Sequence, residues 1–389
     1  MRLAERMDDL GTEGALATAA RVRELTAAGK DIVALSIGEP DFDTPPNVVE
    51  AAYRALADGH THYPPPLGVP EFREAIAADF SRRRGHAIPP SRVVVTPGAK
   101  PVLTLTLLAL LEPGNEVIVP DPGFPIYASL ARFLGAIPVP LPLRAENDFR
   151  LDLDELRAVV SPRTRLLVIN SPHNPTGGML TPADLEGIAS IAMAHDLVVL
   201  SDEVYGRLVH AGEHHSIMAV DGMSERTIVL DGLSKTYAMT GWRLGWGLVP
   251  APLVEPFERL LINTVSGTAA YAQLAGAEAL TGPQVEVDRM LGEFRKRRTL
   301  MLDGLRALPG LSVPSPPGAF YVFPDVSRTG MDGAVFAERL LAEAGVSVLA
   351  GSDFGSFAVD HVRISYANSR DNRGLALERM GEFLESSTS

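Results

Sequence analysis

The sequence has no cysteine among its 389 residues, so neither disulfides nor a thiol nucleophile can be part of its chemistry. That composition suits a reducing compartment. Long apolar runs are also lacking. The longest, residues 102–111, is broken by two threonines and is too short to cross a bilayer. Residues 1–10 are charged and have no apolar centre, so a secretory signal is not expected. Basic runs are confined to residues 82–84 and 295–298, both in amphipathic, helix-like stretches, against a net charge of −13. A solvated helix face accounts for each, and no nucleic-acid partner is expected. No internal repeat or low-complexity tract is present. These exclusions lead to the expectation of a cytoplasmic protein without a membrane partner.

What remains is the composition of an ordinary globular protein, 46% apolar and 21% charged. At this length two domains of unequal size are expected. Residues 14–28 have helical periodicity and stop at Gly29; residues 32–37 read as a strand ending in the turn Gly38-Glu39-Pro40-Asp41-Phe42. A proline-rich loop, His62-Tyr63-Pro64-Pro65-Pro66-Leu67-Gly68, precedes a helix over 69–84. Strand-like runs then recur at 92–96, 116–119, 166–170, 197–201, 227–230 and 244–249, with helical or long loop segments between most of them. Their Val, Ile and Leu residues run continuously rather than alternating, which predicts an α/β fold whose central sheet is covered on both faces. Beyond about residue 252 the texture changes to a long helical stretch, 283–308, then Gly318-Ala319-Phe320-Tyr321-Val322-Phe323 and helix–strand alternation. The expected division is an N-terminal segment, 1–40, packing with a small domain; a large ligand-binding domain, 41–280; and a small α+β domain, 281–389.

Between two of the strand-like runs lies Ser234-Lys235-Thr236-Tyr237-Ala238-Met239-Thr240-Gly241-Trp242-Arg243-Leu244-Gly245. A lysine held there among small and apolar residues is a candidate for a desolvated amine of lowered pKa, able to form a Schiff base with a carbonyl. Eight residues on, Arg243 offers a planar fork of donors suited to a phosphate. An aldehyde-binding amine beside a phosphate-binding guanidinium is what pyridoxal 5′-phosphate requires, although the same pair also suits a surface ion pair. Other polar turns follow strand-like runs, where open α/β sheets place ligands. Thr96-Pro97-Gly98-Ala99-Lys100 opens a helix-like stretch, whose free backbone N–H groups make an anion site. In Pro120-Asp121-Pro122-Gly123-Phe124-Pro125 the aromatic ring by itself reads as core, and Asn170-Ser171-Pro172-His173-Asn174-Pro175-Thr176-Gly177-Gly178 by itself reads as a turn. In Ser201-Asp202-Glu203-Val204-Tyr205 an aspartate at a buried strand end needs a cationic or donor partner. Arg363, alone among apolar neighbours in Val362-Arg363-Ile364-Ser365-Tyr366-Ala367, needs an anion; a substrate carboxylate or an internal salt bridge would serve.

The lysine stretch resembles the signature S-K-x-x-x-x-x-G-x-R-x-G of the class I/II aminotransferases, the aspartate aminotransferase-like, fold type I enzymes that depend on pyridoxal phosphate. The other motifs follow in the family's order from Gly38 to Arg363. The resemblance implies an α/β fold with a large domain, built on a mostly parallel seven-stranded sheet covered by helices, plus a smaller α+β C-terminal domain. It implies that Lys235 carries the cofactor and that Asp202 keeps the pyridine nitrogen protonated, so that the ring acts as an electron sink. Asn174 and Tyr205 would hydrogen-bond the 3′ oxygen, and Phe124 would stack on the ring. Gly98, Ala99, Lys100, Ser234 and Arg243 would surround the phosphate. Tyr63, held stiffly by prolines, would reach the phosphate of a neighbouring subunit, implying a homodimer with shared sites. Gly38 and Arg363 would receive the substrate carboxylate, with Phe124 and Asn174 alongside.

The implied activity is ping-pong transfer of an amino group between an L-amino acid and a 2-oxo acid, with Lys235 moving the proton. One departure stands out: Gly232 occupies a place where aspartate aminotransferases often carry a phosphate-binding Ser or Thr, which leaves that contact to Ser234. Glu203 and His173 read as local structure. Elimination, cyclisation, racemisation and oxidation use the same fold and lysine. A non-enzymatic ligand sensor would need a DNA-binding domain, for which no room is expected before Gly14. No second arginine is placed for a distal carboxylate, and residues 263–270 carry no reading, so the substrate side chain stays open.

Overall fold

The structure, a computed structural model, describes residues 2–387. Its strands are β1 (Val33–Ala34), β2 (Val93–Pro97), β3 (Glu116–Asp121), β4 (Ile137–Pro142), β5 (Thr164–Asn170), β6 (Val198–Asp202), β7 (Thr227–Gly232), β8 (Leu244–Leu248), β9 (Tyr321–Val322), β10 (Val346–Ser347), β11 (Leu349–Ala350) and β12 (Val362–Ser365). Strands β2 to β8 form one seven-stranded sheet in the order β2-β8-β7-β6-β5-β3-β4. Strand β8 runs antiparallel to both its neighbours, and the other pairings are parallel. The fold is thus α/β with a mixed, mostly parallel sheet, as the six continuous apolar runs predict.

Those runs bury both faces of the sheet. Along β2, Val94 faces one core while Val93 and Val95 face another, the period-two alternation of a strand. On the first face Val94, Val117, Leu166 and Leu200 pack with Leu103 and Leu107 of the helix Lys100–Leu110. On the other, Phe72 and Ile76 of the helix Pro70–Arg84 cover the β2–β8 end, and Leu185 and Ile188 of Pro182–Ala194 cover β5 and β6. Each such apolar side chain contributes about 1.5–3 kcal/mol when fully buried.

Strand β4 has no counterpart among the expected runs, because Pro138, Pro140 and Pro142 mask its pattern. A proline cannot donate to a ladder, so such a strand is tolerated at a sheet edge. That is where β4 lies, with only β3 as its neighbour. The strand expected over 32–37 is shorter than its apolar run: only β1 forms a ladder, parallel to β10.

Strands β11, β12 and β9 make a three-stranded antiparallel sheet. Val33 and Leu35 share a core with Phe294, Phe320, Phe336 and Met380, so the N-terminal strand packs among elements from the C-terminal third of the chain. Among the described residues no helix is long and apolar enough to cross a membrane.

Candidate active site

The loop after β2 and the C-terminal ends of β5, β6 and β7 open on a cavity of about 440 Å³. The chain passes from β7 to its antiparallel neighbour β8 through residues 233–243, so the lysine segment crosses the sheet's carboxyl edge, where α/β folds bind ligands. The loop after β2 lies directly on β8: a Cβ on Gly245 would stand 2.4 Å from the Ala99 nitrogen. Only glycine permits that approach.

Lys235 Nζ lines the cavity and donates to the Gly38 carbonyl at 2.7 Å. Burial, with the Arg363 guanidinium nearby, lowers its pKa to about 8. Near neutral pH a useful fraction is therefore the free, nucleophilic amine. Asp202, at the end of β6, pairs in register with Asn170 of β5. Its Oδ2 accepts from the Tyr127 hydroxyl at 2.6 Å and its Oδ1 from the Val204 N–H at 3.2 Å. Burial nevertheless raises this carboxyl to about 6. Among the described residues Asp202 has no ion-pair partner, although it is buried and faces the cavity.

Arg363, on β12, closes the opposite side. It donates from Nη1 to Asn174 Oδ1 at 2.9 Å and from Nη2 to the Ser36 carbonyl at 2.6 Å. Its guanidinium carbon lies 4.4 Å from the centre of the Tyr321 ring and 4.9 Å from that of Phe354. Among the described residues its buried Nε meets no hydrogen-bond partner. Tyr205 and Tyr321 share a hydrogen bond of 2.8 Å between their hydroxyls. Asn174 is held by its N–H donating to Asn170 Oδ1 at 2.8 Å, and Asn170 Nδ2 in turn donates to the Asp202 carbonyl at 2.9 Å.

At the other end, the helix Lys100–Leu110 begins without a side-chain cap; Pro101 has no N–H and the Val102 N–H donates to the Ala99 carbonyl at 3.1 Å, so the Lys100 N–H is the one left at the helix start for an anion. Gly98 has φ +87, and a Cβ there would stand 2.2 Å from Arg243 Nη2, so the glycine and the guanidinium are pressed together. Arg243 and Ala238 both adopt left-handed backbone, φ 54 and 51, costing about 1–2 kcal/mol each. Such strain concentrates at functional sites. Arg243 stays exposed at the rim, its Nη1 donating to the Thr240 carbonyl at 2.8 Å. Ser234 and Gly232 also line the cavity, and Gly232 brings no side chain to it.

The structure therefore brings Gly38, Ala99, Lys100, Phe124 and Asn174 to one cavity with Asp202, Tyr205, Ser234, Lys235, Arg243 and Arg363, and Gly98 lies against Arg243. Tyr63 is not among them: within the single chain it is 92% exposed. His173 and Glu203 are engaged elsewhere. His173 Nδ1 meets Thr176 Oγ1 at 2.8 Å, and burial drives its pKa to about 3. Glu203 is held by Ser201, Ser216 and His214. Sequence reasoning missed Tyr127, Tyr321 and Glu13. Tyr127 sits three residues after Phe124 in the helix Ile126–Phe133, a spacing that could have marked it. No local signal marks Glu13.

These residues fit pyridoxal phosphate. The uncapped helix N-terminus and Arg243 suit a phosphate, the unpaired Asp202 carboxylate suits a pyridinium N–H, and the Lys235 amine suits an aldehyde. Comparison with known proteins agrees. The sequence matches the family described as aminotransferase class I and II over residues 30–379. It is 42% identical over 366 residues to an arginine–pyruvate transaminase of Pseudomonas aeruginosa, covering 94% of this chain and 93% of that protein. It is also 42% identical over 385 residues to an aspartate/prephenate aminotransferase of Thermus thermophilus, with 98% of each chain covered. The solved structure of the Thermus thermophilus aspartate aminotransferase with maleate matches with a TM-score of 0.95 and 42% identity, over 98% of this chain and 100% of that one. With likeness over nearly its whole length in sequence and fold, the chain belongs to the class I and II aminotransferases and is a pyridoxal phosphate-dependent enzyme of that family.

Proposed function

We propose that Lys235, Asp202 and Arg363 are the working groups of this aminotransferase, acting on the α-carbon of an amino acid whose carboxylate Arg363 holds. The observation that carries this reading is the sharing of one cavity by an enclosed amine of lowered pKa, an unpaired buried carboxylate and an arginine fork with a free Nε. Lys235 would hold pyridoxal phosphate covalently. The backbone of Gly98, Ala99 and Lys100, with Ser234 and Arg243, would hold its phosphate, Phe124 would lie on its ring, and Asn174 and Tyr205 would meet its 3′ oxygen. When bound, the cofactor supplies the electron sink that makes an α-proton removable.

The chain's own part follows from its residues. Arg363 pairs with the α-carboxylate and fixes the substrate, a positioning that Tyr321 and Phe354 support by stacking on the guanidinium. Asp202 stays ionised when a cationic donor faces it, which keeps that donor protonated. Lys235 Nζ takes the proton from the α-carbon as a base and returns it as an acid, and a pKa near 8 suits both roles.

The same proposal includes a homodimer in which Tyr63 serves the partner's phosphate site. Support comes from the exposure of a large aromatic side chain on a proline-stiffened loop and from the prevalence of two-fold assemblies. It also includes a cytoplasmic setting, suited by the cysteine-free composition, and the division 1–40, 41–280 and 281–389, supported by the pairing of β1 with β10. The relatives' names specify different substrates, aspartate, prephenate and arginine among them, so the substrate of this chain must be read from the pocket.

The test is a half-reaction. Cofactor-loaded enzyme is mixed with an amino acid, no acceptor is added, and the 2-oxo acid is quantified by chromatography. About one equivalent of 2-oxo acid per site is the expected yield for a ping-pong transfer. Continuous release of ammonia, or a product other than the matching 2-oxo acid, would contradict transamination.

A further inference from the structure

We propose that Glu13 is a specificity residue: by pairing with Lys100 on the cavity wall it occupies the cation that a second substrate carboxylate would need, so that the site takes amino acids with neutral, mainly apolar side chains. This rests on the assignment of Arg363 to the α-carboxylate.

The cations lining the cavity are Arg23, Lys100, Lys235, Arg243 and Arg363. The last three belong to the reacting end, the phosphate end and the α-carboxylate. For a substrate side chain, Lys100 and Arg23 are left. Lys100 is the first residue of its helix, and its ammonium lies 5.4 Å from the centre of the Phe124 ring, beside the expected cofactor plane. Glu13 pairs with it from the N-cap position of the facing helix, Gly14–Ala27. The Glu13 side chain keeps only 18% of its exposure, while that of Lys100 keeps 52%, so the carboxylate is the more enclosed partner. A dicarboxylic substrate reaching for Lys100 meets an anion already in place, and like-charge juxtaposition repels it. Arg23 is exposed, as Lys100 is, and substitution of Arg23 separates the two cations.

Two further carboxylates, Glu39 and Asp353, line the cavity wall. Glu39 accepts from the Thr240 hydroxyl. Asp353 packs against the start of the helix Gly14–Ala27, its carboxylate 2.5–2.7 Å from where a Gly14 Cβ would stand, and helix N-termini favour anions. Between these groups the wall is apolar, from Leu16, Ile37, Leu349 and Phe354. Behind burial, Arg363 and Glu39, Glu13 and Lys100 act on Lys235 with opposite signs, which places the pair near the chemistry.

The experiment compares kcat/KM of the cofactor-loaded enzyme for leucine and phenylalanine with that for aspartate and glutamate, using one common 2-oxo acid acceptor. The wild type is expected to favour the neutral pair. In Glu13→Gln the dicarboxylic-to-neutral ratio should rise about tenfold or more, mainly through KM for the dicarboxylates. Adding Lys100→Met to Glu13→Gln should bring the ratio back. Bound-cofactor absorbance and circular dichroism confirm that each variant is folded and loaded. A wild type that prefers aspartate or glutamate overturns the proposal, as does an unchanged ratio in Glu13→Gln. A ratio that moves with Arg23→Ala instead would also overturn it. If no amino acid is turned over by the loaded wild type, the reading of Arg363 and Lys235 fails; if leucine is turned over and the ratio stays fixed, only Glu13 is misassigned.

Discussion

The hydroxyl of Tyr127 donates to Oδ2 of Asp202 at 2.6 Å, with both residues buried. The bond opposes the burial that pushes Asp202 up to about 6, and it holds the carboxylate at the mouth of β6. Desolvation, with Asp202 beside it, carries the Tyr127 hydroxyl well above the ordinary phenol range, so Tyr127 is a permanent donor.

Tyr127→Phe should therefore keep the fold and slow catalysis. A hydrogen bond to a charged group contributes about 1.5–3 kcal/mol, so kcat is expected to fall by roughly tenfold or more. Without this donor the Asp202 pKa rises, and the acidic limb of the kcat–pH profile should move to higher pH. A profile that keeps both its height and its acidic limb would deny Tyr127 this role.

Asp202→Asn goes further, removing the anion while keeping the shape. Pyridoxal phosphate should still bind, through Lys235 and the phosphate site. Proton removal from the α-carbon should slow by about 100-fold or more, the scale lost with one electrostatic stabiliser. The check is stopped-flow measurement of the half-reaction together with the primary isotope effect from α-deuterated substrate. A wild-type rate would leave Asp202 a structural residue.

Much of this site was legible because strand ends are marked locally. Asp202 follows an uninterrupted apolar strand, and Lys235 lies between two such strands, so residue type and position together predicted buried polar groups. The continuous apolar runs of β2, β3, β5, β6, β7 and β8 likewise predicted a sheet covered on both faces. Strand β4 was hidden because its alternating prolines make sense only once its edge position is known. Glu13, Tyr321 and Phe354 were hidden for another reason. They reach the cavity through long-range packing, Glu13 across 87 positions to Lys100, and no short window of sequence records such a contact.

Lys235 also carries a stability prediction for the cofactor-free protein. Its folded pKa of about 8 lies below the ordinary 10.5, so between those values the unfolded chain binds more protons than the native one. Native stability therefore rises with pH across that window, and the full penalty of burying the ammonium is present below about pH 8. Lys235→Met removes the penalty. Denaturant titration should find the variant more stable at pH 7, by at most about 3 kcal/mol, with the advantage shrinking as pH approaches 10. An advantage independent of pH would assign it to packing instead.

The shared-site dimer is testable by complementation. Lys235→Ala and Tyr63→Arg are each expected to be inactive, the second through damage to the partner's phosphate site. Mixed dimers combine an intact Lys235 with an intact Tyr63 from opposite chains in one of their two sites, so subunit exchange should restore part of the activity. Verified exchange with no recovery, or a fully active monomer in sedimentation, would count against it.

The attachment of the cofactor at Lys235 is tested most directly by locating the bond. Loaded enzyme is reduced with borohydride, digested and analysed by mass spectrometry, alongside the Lys235→Ala half-reaction. The pyridoxyl group is expected on the peptide carrying Lys235, with no 2-oxo acid formed by the alanine variant. A label on another lysine, or an alanine variant that transaminates at the wild-type rate, would contradict it.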